Sequence, residues 1–283
     1  MTAEVAILNK QSVALAADSA VTTGELKIFN TVNKLFALSK HQPVGIMAYN
    51  NSEVMGIPTE TVIKEFRRLR GTTKREHLEE YAQDFEDFLQ TDALLFSDDA
   101  RGDSLCALAW TVVMAIKQES FRRLGKLSGW GHPTEKEGKD ILSEVLAEME
   151  VYLKSQSVLG NPRKNKSLMA TAIDETLNTA MEWLRQALPV DATREKKTRR
   201  LIIDHFFRDI GSGNETGLVI SGFGTRDVFP RLRAFEFCYS ALGLHKVRMR
   251  EEIDIGPNRP SQIMPFGQRD VMATFVEGID PRY

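Results

Sequence analysis

Ala16-Ala17-Asp18-Ser19-Ala20-Val21-Thr22-Thr23-Gly24, followed by Thr31-Val32-Asn33-Lys34, is the stretch on which the reading of the chain turns. Its meaning depends on the start of the chain. Thr2 follows the initiator methionine, and its side chain is small enough for that methionine to be removed, which exposes a threonine with a free α-amine. A threonine hydroxyl is a poor nucleophile at neutral pH, but an α-amine with a reference pKa of about 7.7 to 8.0 can take its proton. A cation such as Lys34 would favour the developing alkoxide and, through like-charge repulsion, keep the amine largely unprotonated. An acid such as Asp18 would hold that cation in place. Taken singly, the three are an ordinary second residue, a turn aspartate and a surface lysine.

Taken together they resemble a known family. Thr2, Asp18 and Lys34 stand, without a gap, where proteasome β-subunits carry their mature threonine, an aspartate after the second strand and a lysine opening the third. The match to these N-terminal-nucleophile hydrolases is specific because it is anchored to the chain terminus. The resemblance implies an α+β fold, a four-layer αββα sandwich, and a threonine-type peptidase working through an acyl-enzyme without a metal or organic cofactor. It also implies that Thr22 offers backbone groups to an extended peptide. Counting from Gly45, the amide that faces the scissile carbonyl oxygen falls on Tyr49, where the family usually has glycine; such donors are worth about 3 to 4 kcal/mol of barrier. Peptide or unfolded-protein substrates, self-association into rings and an ATP-driven unfoldase as partner are implied by the resemblance alone.

Composition narrows the classes further. A chain of 283 residues can bury one large core or two ordinary ones, and its net charge of −2 gives no polyanion-seeking surface, so nucleic acid is not the expected partner. Cys106 and Cys238 stand far apart in apolar surroundings and read as reduced thiols of a cytoplasmic protein. Glu4, Lys10 and Asp18 interrupt any apolar leader, and the longest apolar stretch, Leu105 to Ile116, is shorter than the roughly twenty residues a spanning helix needs, so no membrane segment is expected.

Outward from the quoted stretch, Ala3 to Leu8 and Ser12 to Ala17 read as a tight hairpin, and Lys34 to Leu38 with Pro43 to Ala48 as a second strand pair. Asn50, Asn51 and Ser52 supply helix-capping side chains, and Val62, Ile63, Phe66 and Leu69 mark one helix face that Gly71 ends. Residues 1–71 are thus expected to form the first part of the sandwich. From 72 to 210 the apolar residues recur at helical spacing in runs such as His77 to Leu89, Ser104 to Leu124, Lys136 to Leu153 and Leu168 to Leu188, which predicts a helical insertion foreign to the family. Its basic segments, 163–166 and 194–200, read as solvated faces, with a docking surface for another subunit or an adaptor as the alternative.

Residues 211–283 return to strands. Gly211-Ser212-Gly213-Asn214-Glu215-Thr216-Gly217 lacks the lysine and the following helix of a phosphate loop. Leu218 to Phe223, the alternation through Arg233, Phe235, Phe237 and Tyr239, and His245 to Ile253 are strand candidates. Pro265-Phe266-Gly267-Gln268 occupies the place of a glycine-serine-glycine turn in the family, ahead of a predicted helix over 269–278; the family would then continue with a helix and two more strands. The five histidines show no metal-ligand spacing. Two other readings stand beside the peptidase: a non-catalytic assembly or adaptor protein, favoured by the missing serine turn and final strands, and an N-terminal-nucleophile amidase for small amides.

Overall fold

The computed structural model describes residues 3–19, 21–23, 27–29, 32–92, 94–128, 134–159, 162–211, 215–242, 244–267, 274 and 278. Helices and antiparallel sheets make it a mixed α+β chain. It divides into two compact units, Met1–Ser97 with Gly213–Cys238 and Val247–Tyr283, and Asp98–Ser212 with Tyr239–Lys246.

The first unit starts with the expected hairpin, β1 (Ala3–Asn9) and β2 (Val13–Ala17), whose turn is closed by Asn9 accepting the Gln11 and Ser12 amides. Short β3 (Val21–Thr23) and β4 (Lys27–Phe29) pair with each other, and among the described residues with no other strand. Then come β5 (Leu35–Ala37), β6 (Val44–Asn50) and a small ribbon of β7 (Glu53–Val54) and β8 (Ile57–Pro58). This ribbon stands where Asn50 to Ser52 were expected to cap a helix. Helix α1 (Thr59–Arg70) instead begins after Pro58, whose fixed φ suits that boundary, and it has no side-chain cap. Helix α2 (Leu78–Thr91) follows, its first amide capped by Asp227 at 2.9 Å.

Two sheets share the unit's core. One has the order β11-β10-β9-β6-β5, with β9 (Thr216–Gly222), β10 (Arg231–Ala241) and β11 (Leu244–Asp254); the other has the order β12-β1-β2, with β12 (Ser261–Gly267). Ala6, Leu8 and Phe266 from the smaller sheet meet Met47, Val219, Leu232 and Ala234 from the larger. On the other face of the larger sheet, Ile46, Leu218, Ile220 and Phe235 pack against Val62, Phe66, Phe85 and Phe88 of α1 and α2. The described layers are therefore helix, sheet, sheet. On the outer face of the smaller sheet, the paired Ile7 and Ile263 remain exposed.

Two boundaries differ from the sequence reading. The helical unit begins at Asp98 and not at residue 72, because α2 places Leu78, Tyr81, Phe85 and Phe88 in the sheet core. Residues 265–267 are strand and not turn: β12 pairs antiparallel along all of β1, with Gly267 opposite Ala3, and so adds a third strand to the smaller sheet. The predicted helix over 269–278 lies outside the described residues except at Thr274 and Gly278.

The second unit holds α3 (Asp98–Ser128), α4 (Glu135–Ser155), α5 (Pro162–Ala172), α6 (Asp174–Ala187) and α7 (Ala192–Phe206). Asp98 and Asp99 form the first turn of α3, where carboxylates complement the helix dipole. Thr134 and Glu137 make a reciprocal capping box at α4, and Asp191 caps α7. The basic run of 194–200 lies on α7, where Arg199 pairs with Glu195 and Arg200 with Glu150. Among the described residues, no helix is long and apolar enough to cross a membrane.

Candidate active site

The site grows from the alternation of β1. Glu4, Ala6 and Leu8 share its inward face, and Glu4 is fully buried. After β2 the chain takes one further antiparallel step: the Asp18 amide donates to the Ala3 carbonyl and the Ala3 amide donates to Asp18 Oδ2, each at 3.2 Å. Opposite, the Lys34 carbonyl accepts the Ala48 amide at 2.9 Å, which anchors the start of β5 on β6. The Lys34 ammonium is buried and donates to Asp18 Oδ1 at 2.5 Å and to Glu4 Oε1 at 3.1 Å. A buried cation is tolerable only when paired and hydrogen-bonded. Two carboxylates meet that need here, and Asp18 ties the cation to the main chain of residue 3.

The sequence-predicted residues fall out as follows. Lys34 and Asp18 are brought together beside Ala3, the residue after Thr2. Thr2 itself lies outside the described residues. Thr22 sits in β3 with its main chain opposite Ile28, and its side chain lies outside the described atoms. Tyr49 is a correction. Along β6, Ala48 turns its amide toward the β5 side, where it meets Lys34, so by alternation the Tyr49 amide turns toward β9, where Tyr49 is paired with Gly217. Its ring belongs to the core: it stacks at 5.3 Å on Phe266 and fills the space where a Cβ on Gly217 would lie.

The next amide on the Lys34 side of β6 is that of Asn50, in the left-handed region at φ 64°. Asparagine is among the few residues with a side chain that tolerate this conformation. Two cavities meet at Tyr49 and Asn50. One, of about 220 Å³, is lined by Lys34, Ala48, Asn50, Glu53, Thr59 and Glu60 among others. The other, of about 430 Å³, is lined by Glu236, Arg250, Glu251, Phe266 and Gly267, with the buried Glu236 paired to Arg250 at 3.1 Å.

Comparison with protein-family models, with curated proteins and with solved structures finds no match.

The structure thus rests the site on its own geometry. Sequence reasoning missed Glu4, Asn50 and Thr59. Glu4 was legible as the one charge at inward parity with Ala6 and Leu8 in an otherwise apolar strand. Asn50 was legible only as a residue able to adopt positive φ, and Thr59 carried no signal. The Thr59 hydroxyl is buried and has no hydrogen-bond partner among the described residues. On the rim, Lys64 hydrogen-bonds the Glu60 carboxyl and holds it below its ordinary pKa, and Asn33 adds a further hydrogen bond.

Proposed function

We propose that the chain is a threonine-type peptidase of the N-terminal-nucleophile class, acting from Thr2 after removal of Met1. The observation that carries this reading is the Lys34 ammonium, buried and shared by Asp18 and Glu4, with Asp18 also accepting the amide of the residue next to Thr2. Thr2 Oγ attacks the scissile carbonyl while its α-amine takes the hydroxyl proton and passes it to the departing amine. Lys34 lowers the cost of the anionic oxygen, and Asp18 and Glu4 position Lys34. The Asn50 amide, in place of that of Tyr49, donates to the tetrahedral oxyanion. Water then hydrolyses the ester, and the α-amine serves again as base.

A four-layer αββα sandwich goes with this reading, supported by two sheets around a common core with α1 and α2 on one side. Extended peptides or unfolded proteins as substrates, assembly into rings, an ATP-driven unfoldase and a cytoplasmic setting belong to the same proposal. The small volume of the Lys34 cavity, about 220 Å³, also suits a second reading as an amidase for small amides, which turnover of peptides against simple amides separates.

Intact mass spectrometry tests the first step: the chain should lack Met1 and gain one equivalent of a threonine-directed peptide electrophile, and Thr2→Ala should gain none. Equal labelling of Thr2→Ala, or a retained Met1, would refute the assignment.

A further inference from the structure

The second unit holds a cavity of about 490 Å³ between α3, α4 and the end of α7, and all of its lining residues belong to that unit. We infer that it binds an uncharged single-chain amphiphile, an alkyl chain ending in a hydroxyl or an amide, independently of the chemistry proposed at Lys34. Its volume falls within the roughly 300 to 1,000 Å³ of small-molecule sites. Along α3 the lining recurs every fourth residue, at Thr111, Ala115, Glu119 and Arg123, a ridge about 18 Å long at the helical rise per residue. The space is therefore a trough, which suits a chain. Val112, Ile116, Val145, Leu153 and Ile210 give it apolar walls, and exposed Ala115 lies at its mouth. Burying an alkyl chain against such walls is favourable without any directed contact.

The head group follows from the ionic end of the trough. Arg123 donates to Glu119 at 2.7 Å and to Glu148 of α4 at 2.6 Å, and Arg122, outside the lining, donates to Glu119 at 2.6 Å. Two carboxylates thus meet two guanidiniums. Hydrogen bonds from Arg122 and Arg123 hold Glu119 down at about 2, and those from Arg123 hold Glu148 below its ordinary range, so both acids are ionised at neutral pH. An anionic head would compete with these acids for Arg123, and a cationic head would compete with Arg123 for the acids. A hydroxyl or an amide displaces neither, and it can donate to carboxylate lone pairs that the guanidiniums leave over. Toward the other end, the Thr111 hydroxyl is already given to the Ala107 carbonyl at 3.0 Å, and the buried imidazole of His205 enters from α7.

The test uses the full chain and N-phenyl-1-naphthylamine, an uncharged dye that brightens in apolar surroundings. The dye should follow a saturable single-site isotherm. Dodecanol, dodecanoate and dodecyltrimethylammonium, each below its micelle concentration, share a chain and differ in head charge. Dodecanol should displace the dye at concentrations about fivefold lower than either charged chain, the upper range for partly exposed ion pairs. Ala115→Phe fills the mouth from an exposed position, so it should leave the circular-dichroism melt unchanged and weaken dye and dodecanol about tenfold or more. Glu148→Gln should improve dodecanoate relative to dodecanol, and Arg123→Gln should improve dodecyltrimethylammonium. Uptake of the dye without saturation, equal displacement by the three chains, or an Ala115→Phe chain that binds as tightly as the parent would overturn the inference. So would displacement of the dye by an amphipathic helical peptide and by none of the three amphiphiles, which would give the trough to a partner's helix.

Discussion

Replacing Lys34 by methionine keeps the length of the side chain and removes its charge. The effect can be apportioned between the two carboxylates that share the ammonium. The Asp18 side chain is 37 % exposed, so its share is screened by solvent and is worth about 0 to 1 kcal/mol. Glu4 is 0 % exposed, and a buried charge that loses its counterion costs about 3 to 5 kcal/mol. Lys34→Met should therefore destabilise the first unit by about 3 kcal/mol or more, almost all of it through Glu4. Adding Glu4→Gln should recover at least about 2 kcal/mol of this, a coupling expected only of groups in direct contact.

The assay must report on the right part of the chain. Trp110, Trp130 and Trp183 all lie between Asp98 and Ser212, so tryptophan fluorescence follows the helical unit and is blind to the site. Amide hydrogen exchange of β1, where Ala6 and Leu8 are fully buried, reads the free energy of opening where the ion pair acts. A loss below about 1 kcal/mol, or additive effects of the two substitutions, would refute the claim that Glu4 depends on this cation.

Three further outcomes follow from other parts of the chain. Burial, with a smaller contribution from Asp87, pushes the Glu86 carboxyl up to about 7 from 4.5, so its contribution is full below about 4.5 and is lost as the pH rises through about 7; Glu86→Gln should then be more stable than the parent at pH 8, by up to about 2 kcal/mol in urea unfolding, and no different at pH 4. Burial raises Asp227, but the His77 hydrogen bond, the Gly224 and Leu78 amides and Arg231 outweigh it and hold the carboxyl below 3.8. Its stabilisation is present above 3.8 and lost as the pH falls below it, so Asp227→Asn should cost about 1 to 3 kcal/mol at pH 7 and progressively less in acid. Gly217→Ala would set a Cβ 2.2 Å from the Tyr49 ring, and should lower stability by about 1 to 3 kcal/mol, with Tyr49→Leu in the same chain restoring part of it by thermal melting.

The sheets and helices were legible where one periodicity ruled. The β1–β2 hairpin, β6 and α1 all show their pattern within a few residues, and their observed bounds lie close to those expected. Long-range placement was not legible. Nothing local marks α2 as part of the sheet unit, since its amphipathic face would serve equally in a helical bundle; Gly224 and Asp227, which receive its start, lie about 150 positions away. The strand character of 261–267 was hidden by Pro265 and Gly267, both poor strand formers, which are tolerated because β12 lies at a sheet edge. For the site, residue types at fixed separations sufficed to bring Lys34 to Asp18. The choice between Tyr49 and Asn50 was different in kind, because it turns on which side of one strand an amide faces, a matter of register that no residue count reveals.

Glu4 also changes how the proposed chemistry should respond to pH. The sequence suggests a lone cation that repels a proton from the neighbouring α-amine. With Glu4 present, two carboxylates share the Lys34 ammonium, and their field opposes the one the cation exerts on a neighbouring amine. Reaction through that amine should therefore rise toward alkaline pH, and Glu4→Gln, which removes one of the two carboxylates, should move the rising limb to lower pH. More of the amine is then free base at low pH, so the rate there should increase while the plateau changes little. Labelling rates of the threonine-directed peptide electrophile across pH 5 to 9 read the shift. A rising limb that stays in place when Glu4 is neutralised would mean that the charge of this buried cluster does not reach the base, and the coupling between Lys34 and the chain start would have to be abandoned.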